Sequence, residues 1–225
     1  MSTADLVLLH TSPVHVPVFD ALRDADHPGL GMRHLVDEGL LARARAHGPA
    51  AVADAVAGTL AGAVADGARA VLCTCSTLGG VAERAAGRAG VPVIRVDRPM
   101  AAAAVAAGRR IAVVAAVEST LAPSVDLVRD EAERAGRPAE IRALLVEGAW
   151  ARFEAGDAEG YLRAVARFVD GVRDADVVML AQVSMASARA LVTTSVPVLD
   201  GPRTGLAAAA RAAGHVLRGA DTSSG

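Results

Sequence analysis

The stretch VPVIRVDRPMAAAAVAA, residues 91–107, decides the fold, because the chain repeats it as VPVLDGPRTGLAAAARAA at residues 196–213. Pro197 follows Pro92 by 105 residues. Three further segments recur in the same order at nearly the same distance: residues 6–9 as 111–114, 32–43 as 141–152, and 71–80 as 178–187. Alanine content and a shared strand–helix pattern are the alternative explanation, but four ordered matches favour an internal duplication.

Short runs rich in β-branched residues alternate with alanine-rich helical stretches, a pattern that predicts a parallel α/β fold. The predicted strands cover residues 6–9, 32–36, 70–73, 91–96, 111–115, 140–145, 177–180 and 196–199. Helices are predicted at residues 49–68, 119–135 and 159–173. With the duplication, this predicts two pseudo-symmetric lobes, residues 1–98 with 200–225 and residues 99–199, with a ligand cleft between them.

Composition excludes several classes of protein. The chain has 225 residues, 52% of them hydrophobic, and a net charge of −2, which argues against disorder and against a nucleic-acid partner. Because no apolar run reaches about 18 residues and the first ten residues lack signal-peptide features, we expect a soluble cytoplasmic protein without a membrane partner. All 23 basic residues are arginine, so neither a pyridoxal phosphate Schiff base nor a Walker A lysine can form.

Small polar residues follow four of the predicted strands. They are His10, Thr11 and Ser12; Thr74 to Thr77; Glu118 to Thr120; and Gln182 to Ser184. Hydroxyls and amides at helix starts bind carboxylates, although Ser76, Thr77, Ser119 and Thr120 fit equally well as helix N-caps. His10 is either a proton donor to a ligand or a hydrogen-bonding group at the end of the sheet.

Cys75 lies at a predicted strand-to-helix turn, where unpaired amides and the helix dipole favour the thiolate. It could then serve as a base or nucleophile near neutral pH, the alternative being a small residue that fits a tight turn. Cys73 is expected to pack in the core. A disulfide between the two cysteines would be strained, and they lack the histidine pair of a zinc site.

The duplication, the polar loops and the motif TCST at residues 74–77 together resemble the aspartate/glutamate/hydantoin racemase superfamily, which includes arylmalonate decarboxylase and maleate isomerase. The strand IAVVAAVEST at 111–120 is similar to the family's second-lobe strand that ends on threonine, here Thr120. The resemblance covers roughly residues 5–215. It implies a cofactor-independent, metal-free enzyme acting at a carbon next to a carboxylate, with Cys75 in the catalytic place. Homo-oligomers are common among such enzymes, and the sequence does not define the oligomeric state.

One departure from the family pattern limits the prediction. Racemases of this group use one cysteine per lobe, but the counterpart segment LAQVSMA at 180–186 carries Gln182 and no cysteine. We therefore expect a racemase- or isomerase-like enzyme with one thiol, His10 as a partner acid and Gln182 orienting a small carboxylate-bearing substrate. The expected substrate cradle is Thr11, Ser76, Thr77, Ser119, Thr120 and Ser184. A single-cysteine decarboxylase, a cis–trans isomerase of a small diacid, and a non-catalytic acid-binding protein remain alternatives.

Overall fold

Across residues 5–215, which the computed structural model describes, eight strands alternate with nine α-helices. The strands are β1 (Leu6–His10), β2 (Met32–Val36), β3 (Ala70–Cys73), β4 (Val93–Arg95), β5 (Arg110–Ala115), β6 (Glu140–Leu145), β7 (Val177–Leu180) and β8 (Val198–Leu199). The helices are α1 (Val16–Asp26), α2 (Glu38–His47), α3 (Ala53–Ala65), α4 (Ser76–Ala89), α5 (Arg98–Ala107), α6 (Glu118–Ala135), α7 (Ala149–Glu154), α8 (Ala158–Asp170) and α9 (Pro202–Ala212). Short 3-10 helices cover Pro13–His15, Pro49–Val52 and Val183–Leu191.

The strands form two four-stranded sheets with equivalent orders, β2-β1-β3-β4 and β6-β5-β7-β8. Every strand pair is parallel. Leu6 pairs with Met32 and Ala70 in the first sheet, and Ile111 pairs with Ile141 and Val177 in the second. The two-sheet parallel α/β fold predicted from the sequence is therefore confirmed.

Helix packing shows where the chain crosses between the sheets. The apolar side of α5 packs against β5 and β7 of the second sheet, whereas Leu206 of α9 packs with β1 and β3 of the first. The fit of α9 requires glycine, because a Cβ atom on Gly205 would lie 2.5 Å from the Val96 carbonyl oxygen. The exact lobe boundaries stay a prediction, and residues 1–4 and 216–225 of the predicted first lobe lie outside the described residues.

Several elements differ in their bounds from the sequence prediction. Strands β4 and β8 begin after Pro92 and Pro197, because these prolines accept a strand hydrogen bond but have no N–H to donate. Strand β1 extends through His10, which pairs with Val36, so His10 is not in a loop. The predicted helix 49–68 begins as a 3-10 turn and ends at Ala65.

The two lobes meet at the carboxyl ends of their strands. Across this junction the Ser76 hydroxyl donates to the Ala181 carbonyl at 2.7 Å, and the hydroxyls of Thr77 and Thr120 share a hydrogen bond of 3.3 Å. The starts of α4 and α6 therefore lie side by side. None of the helices in the described part of the chain is long and apolar enough to cross a membrane.

Candidate active site

A narrow cavity with an empty volume of about 420 Å³ lies where the two sheets meet. Seven of the nine predicted site residues line it: Thr11, Cys75, Ser76, Thr77, Thr120, Gln182 and Ser184. Ser12, His15, Leu41, Thr74, Val117, Trp150 and Val183 complete the wall. The cavity thus draws on both halves of the duplication, and its lining is rich in hydroxyl groups.

Cys75 is the N-cap residue of α4, with extended backbone angles of φ −101° and ψ 113°. Burial raises the pKa of its thiol, while hydrogen bonds from Thr11 and from the backbone of Leu78 and Thr77 lower the pKa; the net shift is upward. The helix start alone favours a thiolate, but the loss of hydration on burial outweighs it. Cys75 is therefore a thiol near neutral pH, with three donors placed to stabilise its thiolate.

Cys73, two residues earlier, is fully buried in β3 and packs in the core. Its thiol donates to the Cys75 carbonyl at 3.6 Å, and burial raises its pKa to about 12. Both cysteines are free thiols. Cys73 is therefore an inert neighbour, and it can be replaced as a control for Cys75.

His10, a predicted partner acid, lies behind the cavity instead of lining it. It is fully buried in β1 and shares 2.8 Å hydrogen bonds with the Thr74 hydroxyl and with His34, whose other ring nitrogen lies 3.3 Å from Asp20. Burial, with smaller contributions from the two neighbouring histidines, lowers the pKa of His10 to about 3. The neutral ring therefore reaches the cavity through its hydrogen bond to Thr74, which lines it.

His15 is the titratable residue that the sequence analysis missed. The 3-10 turn Pro13–His15 carries it back to the cavity wall. Burial lowers its pKa to about 4, so it is a neutral imidazole at neutral pH. The segment HTSPVH at residues 10–15 contains the signal, because Pro13 favours a tight turn directly after the first strand.

Gln182 occupies the second-lobe position equivalent to Cys75. It precedes the 3-10 helix Val183–Leu191 with extended angles of φ −128° and ψ 143°. Its Oε1 atom accepts from the backbone N–H groups of Ala116 at 2.6 Å and Val117 at 3.0 Å. The carbonyl oxygen is thus occupied within its own lobe, and the Nε2 group is the part of the amide available to a ligand.

The hydroxyl residues divide into three groups. None of them is the N-cap of α4 or α6, because those positions are held by Cys75 and Val117. The alternative that Ser76, Thr77, Ser119 and Thr120 serve as N-caps was therefore wrong. Ser76 and Thr77 link the lobes through the hydrogen bonds described above, and Ser184 shares a 2.8 Å bond with Tyr161. Ser119 lies outside this cavity, because α6 begins at Glu118 and turns Ser119 to a different side from Thr120.

Among residues 5–215, no group of three or more histidine, cysteine, aspartate or glutamate side chains could hold a metal ion. The groups that can act on a ligand here are hydroxyls, amides, one thiol and one neutral imidazole. Such a set fits proton transfer beside a carboxylate, because its donors can stabilise charge on the carboxylate oxygens.

Solved structures of other proteins share this fold. Aspartate racemase of Picrophilus torridus is 13% identical, with a TM-score of 0.68 and 95% of both chains covered. Glutamate racemase of Francisella tularensis, solved with D-glutamate, is 12% identical, with a TM-score of 0.71, covering 98% of this chain and 86% of that one. A glycine-to-cysteine mutant of arylmalonate decarboxylase is 19% identical, with a TM-score of 0.60 and coverage of 96% and 94%.

At these identities the structural likenesses establish the fold. No curated protein sequence matches the chain. The sequence profile of the family described as Asp/Glu/Hydantoin racemase matches residues 5–209, which is most of the chain. The resemblance carried by TCST and by the duplication is thereby confirmed, and the chain belongs to the Asp/Glu/hydantoin racemase family.

Proposed function

We propose that this protein is a cofactor-independent racemase- or isomerase-like enzyme that moves a proton at the carbon next to a carboxylate of a small acid. Cys75 is its one thiol acid–base group. The observation that carries the proposal is the surroundings of the Cys75 sulfur: Thr11 and the backbone of Thr77 and Leu78 supply hydrogen bonds to it inside a hydroxyl-lined cavity.

Proton abstraction assigns distinct roles to the lining groups. The Cys75 thiolate takes the proton from the α-carbon, and the electron pair of the C–H bond passes into the carboxylate, which becomes an enediolate. Hydroxyls of Thr77 and Thr120 and the Gln182 Nε2 group are donors for the developing oxyanion. Removing one such preorganised donor typically raises the barrier by about 3–4 kcal/mol.

Proton return decides the stereochemical outcome. Return from Cys75 to the same face gives exchange with solvent but no inversion. Inversion requires a donor on the opposite face, where Gln182 occupies the place equivalent to Cys75 and an amide cannot exchange a proton as a base. Among the described lining residues His15 is the titratable group besides Cys75, and we assign it as the candidate second acid–base group. Its neutral ring accepts a proton when the Cys75 thiol donates one, and the protonated ring returns that proton in the reverse direction.

The raised thiol pKa favours a second candidate function, a single-cysteine decarboxylase. Loss of carbon dioxide from a substituted malonate leaves an enediolate, which needs a proton donor and no base. A thiol that stays protonated at neutral pH supplies that proton directly. The two functions differ in the substrate consumed, and a non-catalytic binder would show neither reaction.

Proton NMR in heavy water without added cofactor tests these assignments. The panel contains single enantiomers of aspartate, glutamate, hydantoins and hydroxy acids, together with maleate and substituted malonates. Cys75→Ala is expected to abolish any exchange, isomerisation or decarboxylation, whereas Cys73→Ser retains it because Cys73 does not line the cavity. Turnover that survives Cys75→Ala would refute the role of the thiol. Binding of a panel acid without any turnover would support the non-catalytic alternative.

A further inference from the structure

A second cavity lies on the other side of Thr77 from the Cys75 cavity, between α4 and α6. Its empty volume is about 1070 Å³, and it is open to solvent. Thr77 lines both cavities, and its hydrogen bond to Thr120 forms part of the wall between them. The charged residues of its lining are Arg45, Arg84, Arg95 and Asp126.

The glycine pair Gly79-Gly80 brings two of these arginines together. A Cβ atom on Gly79 would lie 2.5 Å from Arg95 Nε, so the Arg95 side chain crosses α4 where glycine leaves room. A Cβ atom on Gly80 would lie 3.4 Å from Arg84 Nη1 and 3.6 Å from Arg95 Nη1. Both guanidinium groups therefore border the same space, beside Gly80.

The charges at this point are only partly compensated. The Nε and Nη2 atoms of Arg95 each donate to Asp97 at 2.9 Å, which leaves Nη1 on the side of Gly80. Arg84 has no carboxylate within 4.0 Å among the residues that the structure describes. Arg45 pairs with Glu154 of the second lobe at 3.1 Å, and Asp126 pairs with Arg129 at 3.2 Å.

The second lobe contributes an unpaired donor. Ser119 lines this cavity, and its hydroxyl oxygen is buried without a hydrogen-bond partner in the described part of the chain. Buried polar atoms are normally satisfied, so an orphan hydroxyl beside two guanidinium groups indicates a missing acceptor. Guanidinium and hydroxyl groups are both donors, and the ligand that satisfies them is an oxyanion.

We propose that the cavity between α4 and α6 binds a phosphate group, held by Arg84 and Arg95 from the first lobe and by the Ser119 hydroxyl from the second. A tetrahedral phosphate offers oxygens to three converging donors, and the arginine fork matches it. Because the donors come from both lobes, the bound anion fixes α4 against α6. The first turns of α4 and α6 form one side of the Cys75 cavity, so phosphate bound between the helices restricts the motion of that side of the cavity.

Isothermal titration calorimetry with inorganic phosphate, at constant ionic strength and with chloride as the competing anion, tests the binding. Wild-type protein is expected to bind phosphate, and Arg84→Gln to bind it about tenfold more weakly. Arg88→Gln is the matched control, one turn further along α4 and exposed. Glycerol 3-phosphate distinguishes a phosphate ester from the free ion, and acetate reports whether a carboxylate suffices.

Gly80→Asp provides a test that does not remove a buried arginine. Its carboxylate would lie between the two guanidinium groups and act as a built-in anion. Compared with Gly80→Asn, which has the same shape without charge, it should raise Tm by about 2–4 °C at low salt and abolish phosphate binding. The difference in Tm should shrink at high salt, because Arg84 is exposed and its interactions are screened.

The binding measurement is independent of the proposed reaction, and Cys75→Ala is expected to bind phosphate like the wild type. Absence of phosphate binding, or equal affinity in the wild type and Arg84→Gln, would overturn the proposal. Loss of binding in Thr11→Val with retention in Arg84→Gln would also overturn it, since phosphate would then occupy the Cys75 cavity.

Discussion

Gln182 holds the second lobe together at the site, and its replacement by leucine is the most direct test of that role. The Oε1 atom accepts two backbone N–H groups, from Ala116 at 2.6 Å and Val117 at 3.0 Å. Both donors follow β5, whereas Gln182 follows β7, so this side chain connects the two adjacent strand ends. Leucine has a similar size but accepts no hydrogen bond, and it would leave both amides without this partner.

The expected loss follows from the number of donors released. Each buried donor left unsatisfied costs about 1–3 kcal/mol, and this site is only partly buried, so Gln182→Leu should lower the free energy of unfolding by about 2–4 kcal/mol. Denaturant unfolding followed by circular dichroism measures this change as a lower midpoint with an unchanged slope.

Gln182→Glu is the matched control, because its carboxylate offers an acceptor of the same shape to both amides. Gln182→Glu should be near or above wild-type stability at pH 7. Because two N–H donors lower the pKa of such a carboxylate in the folded state, its contribution should be lost as the pH falls below the usual glutamate pKa of about 4.3. A Gln182→Leu variant within about 0.5 kcal/mol of wild type would refute the role of the two hydrogen bonds.

Three further predictions concern titration and burial. Because burial raises the pKa of Cys75, the rate of its alkylation by iodoacetamide should still increase at a pH above the ordinary cysteine pKa of about 8.5. Thr11→Val should move the midpoint of this pH profile higher still. A rate that reaches a plateau below pH 8 in a Cys73→Ser background would contradict this. The pKa of His10 is lowered to about 3 in the folded chain, so below about pH 6.5 the unfolded chain protonates this residue while the folded chain does not. Between pH 7 and pH 5 the free energy of unfolding should therefore fall by about 2 kcal/mol more in the wild type than in His10→Gln. Equal losses in the two proteins would contradict the lowered pKa. Asp97→Ala leaves the Arg95 guanidinium buried without its carboxylate and should destabilise by about 3–5 kcal/mol in denaturant unfolding, with much of the loss recovered in the double variant Asp97→Ala/Arg95→Met.

The sequence predicted the fold and much of the site because both follow from periodic patterns. Strand alternation and the repeat give two parallel sheets, and residues directly after strands gather at one edge. The sequence could not predict that β1 runs through His10, since the strand ends where pairing with β2 ends and not where the apolar run ends. Nor does it give the balance between burial and helix-start donors at Cys75, which depends on how deeply the folded chain buries the thiol.

The two halves of the duplication use different side chains to connect the segments that follow their two central strands. In the first lobe, Thr11 after β1 contacts Cys75 after β3; in the second, the backbone after β5 contacts Gln182 after β7. A sulfur joined to hydroxyl and amide donors can gain and lose a proton, because its thiolate is partly stabilised there. An amide oxygen that accepts two hydrogen bonds is a fixed, neutral connection, which holds the loop in place but has no proton to transfer. The duplicated frame therefore keeps its symmetry of shape, while the thiol that lines the cavity comes from the first lobe.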